Sequence, residues 1–220
     1  MSIDQQPSSL YGAGARALQD TFDSRRLADR LAQLTLHDTL TDDDIALIRT
    51  QSTVWLATVD ADGWPDVSYK GGNPGFVQVV NQRLLRLPSF DGNGMFRSLG
   101  NVLDNGRIGL LFVDPARPWR MRVHGRGTVS TRAEDCAAFT GAQAVLEVEV
   151  LRVFPNCGRY IHGEDGISAS VPQPDRDAPM ASWKRFDAIR DALPADDIAR
   201  LDGEAAAGDA SPGAGHTPQA

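Results

Sequence analysis

A small antiparallel β-barrel, with one helix laid across it and further helices at both ends, is the fold this sequence predicts. Three observations carry that expectation. Between residues 53 and 127, short apolar runs follow one another with close turns between them. One helical stretch, opened by a glycine-rich loop, interrupts them near residue 97. Residues 144–154 alternate apolar and polar side chains more clearly than any other part of the chain. Strands joined by tight turns around a single helix close most simply into a small barrel.

In chain order, residues 1–14 are polar and glycine-bearing and read as a mobile or draped segment. Apolar residues then recur at helical spacing (Leu18, Phe22, Leu27, Leu31, Leu34), which predicts one amphipathic helix over 15–36 or two broken near Ser24. Thr41 before Asp42, Asp43 and Asp44 reads as an N-cap with an acidic first turn, opening a short helix to residue 51. Strands are expected at 53–59 and 65–70, joined by the turn Asp60-Ala-Asp-Gly63, and at 76–80 and 84–87, hinged by Asn81 and Gln82. The loop Asp91-Gly-Asn-Gly-Met-Phe-Arg-Ser98 feeds a helix to about residue 104, which gives way at Asn105-Gly106 to strands at 108–113 and 120–131. Residues 132–143 suit a short helix, and 144–154 the clearest strand, with Glu147 and Glu149 on one face. A last helical region spans 182–201 with a break at Pro194. From Gly203 onward, Gly, Ala, Ser, Pro and Asp dominate and predict a disordered tail. The expected organisation is a helical extension (1–44), a barrel domain (45–162), a second helical extension (163–202) and the tail (203–220).

Composition narrows the function. A chain of 220 residues can bury one good core, and a formal charge of −7 argues against nucleic-acid binding. The cluster Arg97, Arg120, Arg122 and Arg126 inside an acidic protein points instead to a small anionic ligand, unless these are solvated faces. Cys136 and Cys157 are too far apart for a redox motif and too few for a zinc site. The four histidines lack metal-ligand spacing, and neither a nucleophile elbow nor a P-loop is present. Gly12-Ala-Gly-Ala-Arg-Ala17 matches a dinucleotide fingerprint only loosely, with no strand expected before it. No basic leader followed by an apolar run and no membrane span is expected, so the expected location is the cytoplasm.

What remains is the glycine-rich loop and its basic neighbours. Glycines let backbone N–H groups approach an anion, and the helix that follows adds its partial positive end. Arg97 can fork onto two phosphate oxygens and Ser98 can donate one more bond. The competing reading is an ordinary first helical turn with a solvated arginine.

The same residues carry a likeness. Tyr69-Lys-Gly-Gly-Asn-Pro-Gly-Phe-Val77, Gly92-Asn-Gly-Met-Phe-Arg-Ser-Leu-Gly-Asn101, Arg107-Ile-Gly-Leu-Leu-Phe-Val113 and Asn156-Cys-Gly-Arg-Tyr-Ile161 resemble the flavin-nucleotide-binding proteins related to pyridoxamine 5′-phosphate oxidase, over residues 45–162. The resemblance implies a split β-barrel that dimerises, with FMN in two symmetric grooves between subunits. It places the phosphate at Arg97 and Ser98, with Asn93 and Asn101 close by, and the flavin ring beside Ser68 and Lys70. Arg120 and Arg122 match a strand that reaches the ring edge or phosphate. This chain departs from the oxidase at Ser68 and Ser98, where that enzyme carries basic residues, and lacks its Arg-rich substrate segment.

Two classes of function follow. One is an FMN-dependent oxidoreductase acting on an unnamed small substrate, with Lys70 stabilising charge on the reduced flavin. The other is a flavin carrier or sensor, or a relative that binds deazaflavin F420 or haem, with Lys70 a rim residue reaching water. Residues 156–162, holding Cys157, Arg159, Tyr160 and His162, either serve the flavin groove or form a turn in which Tyr160 and Ile161 plug the barrel end.

Overall fold

A computed structural model of the chain describes residues 10–114, 116, 119–163 and 166–209. It divides into two compact units: residues 35–178, and a second unit drawn from both chain ends, up to residue 34 and from residue 179 on.

The first unit is the barrel. Strands β1 (Thr53–Val59), β2 (Pro65–Gly71), β3 (Gln78–Asn81), β4 (Leu84–Phe90), β5 (Arg107–Asp114), β6 (Trp119–Ser130) and β7 (Ala142–Asn156) form one sheet. Its order is β2-β1-β5-β6-β7-β4-β3, antiparallel throughout. The sheet is open between its edge strands β2 and β3, the arrangement of a split barrel, and the expected fold class holds. Period-2 alternation sends one face of each strand inward. Val54 and Leu56 of β1, Leu110 and Phe112 of β5, Met121 and Val123 of β6 and Val148 and Val150 of β7 meet in a single core.

Two helices fix how the chain enters and crosses this sheet. Helix α3 (Asp42–Thr50) opens with a capping box between Thr41 and Asp44 and buries Leu47 and Ile48 in the barrel core. The Asp44 carboxylate is enclosed, and one of its oxygens accepts from the Thr41 backbone N–H (2.9 Å), the Thr41 hydroxyl (2.8 Å) and faces His37 Nε2 (2.8 Å). Asp44→Ala is therefore expected to cost about 2 kcal/mol, a lost cap plus buried donors left unpaired. The urea midpoint should fall for this variant and stay put for the exposed neighbour Asp43→Ala. Helix α4 (Arg97–Asn105) lies across the barrel on Leu99 and Val102 and ends at Gly106, whose φ of 68° stops the helix where the sequence expected. It approaches β6 at Gly127, where an added Cβ would lie 2.7 Å from Ile108 Cδ1 and 2.9 Å from Val102 Cγ1. A short helix, α5 (Ala133–Cys136), joins β6 to β7.

The second unit holds helices α1 (Ala13–Thr21) and α2 (Arg25–Thr35), a 3-10 turn (Ser182–Arg185), and helices α6 (Asp187–Arg190) and α7 (Ala195–Asp209). The N-terminal pattern thus resolves as two helices, broken at Asp23, whose φ is 48°. Leu27, Ile189, Leu193 and Leu201 enclose its core, with Leu31 and Trp183 against them. Arg30 binds the Asp191 carboxylate at 2.8 Å, and Lys184 pairs with Asp197. The loose dinucleotide fingerprint is the start of α1, with no strand before it among the described residues.

One expectation is corrected here. Helix α7 does not stop before Gly203 but runs on to Asp209. The stretch Glu204-Ala-Ala-Ala207 has high helix propensity, and Glu204 pairs with Arg185 and Arg200. Residues 210–220, and residues 1–9 of the expected draped segment, lie outside the described residues.

Candidate anion-binding site at the opening of α4

Strand β2 supplies one wall of the site. Its register against β1 pairs Asp66 with Thr58, Ser68 with Leu56 and Lys70 with Val54, so these three polar side chains share the inward face of an edge strand. The opposite wall is the loop of residues 91–96 and the first turn of α4. Between them lies a cleft of about 250 Å³, lined by Asp66, Ser68, Lys70, Asn93, Arg97 and Ser98, with Phe90, Met95 and Phe96 as an apolar rim.

The loop is built to present backbone N–H groups. Asn93 Oδ1 accepts from the Met95 N–H at 3.0 Å, and Gly94 turns the chain with a φ of 73°. Phe96, at φ 48°, sits at the cap position of α4 in the left-handed region that non-glycine residues rarely adopt. No side chain caps the helix, so its first N–H groups keep their capacity to bind an anion. Ser98 is only 6% exposed and lines the cleft, yet its hydroxyl makes no hydrogen bond among the described residues. A hydroxyl that lines a cleft and has no protein partner there is free to bond a ligand.

Arg97, Lys70 and Asp66 line the same cleft as that hydroxyl. Arg97 Nε lies 3.6 Å from Asp66 Oδ1, and its Nη2 lies 3.9 Å from Asp60 Oδ2. Burial holds the Lys70 amine below the ordinary lysine value, and the nearby Asp66 charge works against that effect.

Of the eight residues singled out from the sequence, the cleft brings together Ser68, Lys70, Asn93, Arg97 and Ser98. The other three lie elsewhere in the protomer. Asn101 is buried beneath α4 and donates to Thr58 Oγ1 at 3.0 Å, tying the helix to β1. Arg122, on the outer face of β6, stacks over the Phe154 ring at 5.8 Å. Arg120 donates to the carbonyls of Cys157 (2.9 Å from Nε) and Arg159 (3.1 Å from Nη2). It clasps the loop of residues 156–162, and that loop does not line the cleft. Nor does Tyr160 plug the barrel. It is 49% exposed with φ 65° and carries Arg159 over its ring at 4.9 Å.

The sequence model of the pyridoxamine 5′-phosphate oxidase family matches residues 40–157, more than half of the chain and the greater part of the barrel unit. The chain belongs to the pyridoxamine 5′-phosphate oxidase family. Solved structures similar to this family member include HupZ of Group A Streptococcus (24% identity over 59% of this chain and 98% of the other, TM-score 0.44). Another is a Clostridium acetobutylicum protein related to general stress protein 26, of the pyridoxinephosphate oxidase family (12%, 52% and 86%, TM-score 0.42). A third is an FMN-binding protein of Syntrophomonas wolfei (13%, 64% and 94%, TM-score 0.38). No curated protein sequence matches this one.

The family's match to the barrel leaves the helical unit of the chain ends outside it. Within the barrel, the sequence reading missed Asp66, Phe90 and Phe96. Asp66 was within reach, because Asp66, Ser68 and Lys70 recur at the period of a strand and must share a face. Among the described residues no cluster of His, Cys, Asp or Glu could hold a metal ion, and no helix is long and apolar enough to cross a membrane.

Proposed function

We propose that this member of the pyridoxamine 5′-phosphate oxidase family binds FMN and works as a homodimeric flavin-dependent oxidoreductase on a small substrate. The observation that carries the reading is the unpartnered hydroxyl of buried Ser98, set between Arg97, Lys70 and the uncapped start of α4. Such a donor set suits a phosphate: a guanidinium fork, an amine, a hydroxyl and helix N–H groups. Phe90, Met95 and Phe96 at the rim suit the apolar body of a ring system joined to that phosphate.

Flavin, once held, supplies the electron chemistry. The chain contributes binding and charge. Arg97 and Ser98 would hold the phosphate, Ser68 would donate from β2, and Lys70 would supply positive charge beside the ring. Support for a dimer comes from the outer face of β2. Val67 and Tyr69 there are 66% and 61% exposed, Trp64 just before the strand is 72% exposed, and Tyr69 meets Trp55 edge-on at 5.8 Å. An exposed apolar patch of this kind on a sheet edge suits contact with a second copy.

The test is direct. Purified protein should show flavin absorbance or take up added FMN, run as a dimer in light scattering, and be reduced anaerobically by NADH or NADPH. Protein without flavin bands that fails to bind added FMN would sink the reading. Haem bands in their place would replace it with haem binding.

A further inference from the structure

Two cations, Lys70 and Arg97, and one carboxylate, Asp66, line the cleft, and Asp60 approaches Arg97 from outside that lining. The two carboxylates differ in what else they do. Asp60 is fixed by the β1–β2 turn, its Oδ1 accepting from the backbone N–H groups of Trp64 (2.8 Å) and Asp62 (3.1 Å). The Asp66 carboxylate makes no hydrogen bond among the described residues and lines the cleft. It stands 3.6 Å from Arg97 Nε, and its charge also acts on Lys70 two alternations along the same strand face. At 3.6 Å the contact with Arg97 is an ion pair too long for a hydrogen bond, and Arg97 is half exposed, so the pair is loose and easily exchanged.

A phosphomonoester entering this cleft carries close to two negative charges at neutral pH. It is drawn by the two cations and repelled by the carboxylate between them. Repulsion scales with the ligand's charge, so it falls hardest on a doubly charged group and not at all on a neutral one.

We infer that Asp66 is a specificity-determining residue of this site: a built-in counter-ion of Arg97 and Lys70 that an incoming phosphate displaces, and that holds down the affinity for phosphomonoesters. This inference rests on the flavin reading above and adds to it a residue that opposes the ligand. The consequence is a site that releases its phosphorylated ligand more readily than two cations and a helix start alone would allow.

The experiment compares FMN with riboflavin, which has the same ring and no phosphate, on the full-length protein and on Asp66→Asn. Titration by flavin fluorescence should show FMN binding about tenfold tighter to D66N, with riboflavin unchanged, so the ratio of the two affinities rises about tenfold. Asp66→Ser, whose short hydroxyl carries no charge, should move the ratio in the same direction and covers the case of a poorly folded D66N. A ratio that is unchanged or lower in both variants would overturn the inference while leaving flavin binding intact. If neither wild type nor variants bind FMN, the flavin reading falls and the inference falls with it.

Discussion

Arg97→Ala should weaken FMN binding tenfold to a hundredfold, while Arg26→Ala leaves it untouched. Charge-assisted hydrogen bonds to a phosphate are worth about 1.5–3 kcal/mol, which converts to roughly that range of affinity. Arg97 sits at the first position of α4 on the wall of the cleft, with only two loose carboxylate contacts to restrain it. Arg26 belongs to the helical unit, where it pairs with Asp23 at 3.3 Å and donates to the Leu193 carbonyl. Titration calorimetry checks both. Equal affinities for the two variants would place the phosphate away from the start of α4.

Gly127→Val should do two kinds of damage at once. An added Cβ already lies 2.7 Å from Ile108 Cδ1 and 2.9 Å from Val102 Cγ1, and valine puts two further carbons into the same space. Overpacking of a close-packed core costs about 3 kcal/mol at the upper end of its usual range. Val102 is on α4, so the helix is the part that gives way, and Arg97 and Ser98 move with it. The melting temperature should fall by several degrees, and FMN affinity measured well below the melt should fall as well. A variant that melts lower but binds FMN as wild type would show that the helix start is held by the loop of residues 91–96 and not by its seat on β6.

Much of the barrel was legible because its causes are local. The alternation of β7, the turn after Asp60, the acidic cap of α3 and the stop at Gly106 each depend on residues a few positions apart. The heart of the cleft was legible for a similar reason. A glycine-rich loop running into Arg97 and Ser98 is contiguous in the chain, and Ser68 and Lys70 fall on one face of one strand.

The rest depends on contacts that no local pattern announces. Arg120 and Arg122 look like ligands by type, but Arg120 is engaged with carbonyls 37 and 39 residues further along, where the chain returns beside it. Asn101 reads as one more polar group near a phosphate, and its partner Thr58 lies 43 residues back. From sequence, Tyr160 fits either a groove residue or a barrel plug, since nothing local fixes which way it turns. Its left-handed backbone and the clasp of Arg120 turn it outward instead. The end of α7 was misjudged because the composition of the tail outweighed three consecutive alanines.

The helical unit made from both chain ends also sets a timetable for synthesis. Its first half, α1 and α2, is made before the barrel, while the carbonyl that receives Arg26 comes 167 residues later. At roughly 5–20 residues per second, that is an interval on the order of ten to thirty seconds. Through it, the apolar side of α2 formed by Leu27 and Leu31 has none of its native cover from Ile189, Leu193 and Leu201. The barrel strands are synthesised within that window and are expected to fold before the helical unit closes. The amphipathic helices wait, exposed to chaperones and proteases, until the last forty residues of the chain arrive to close over them.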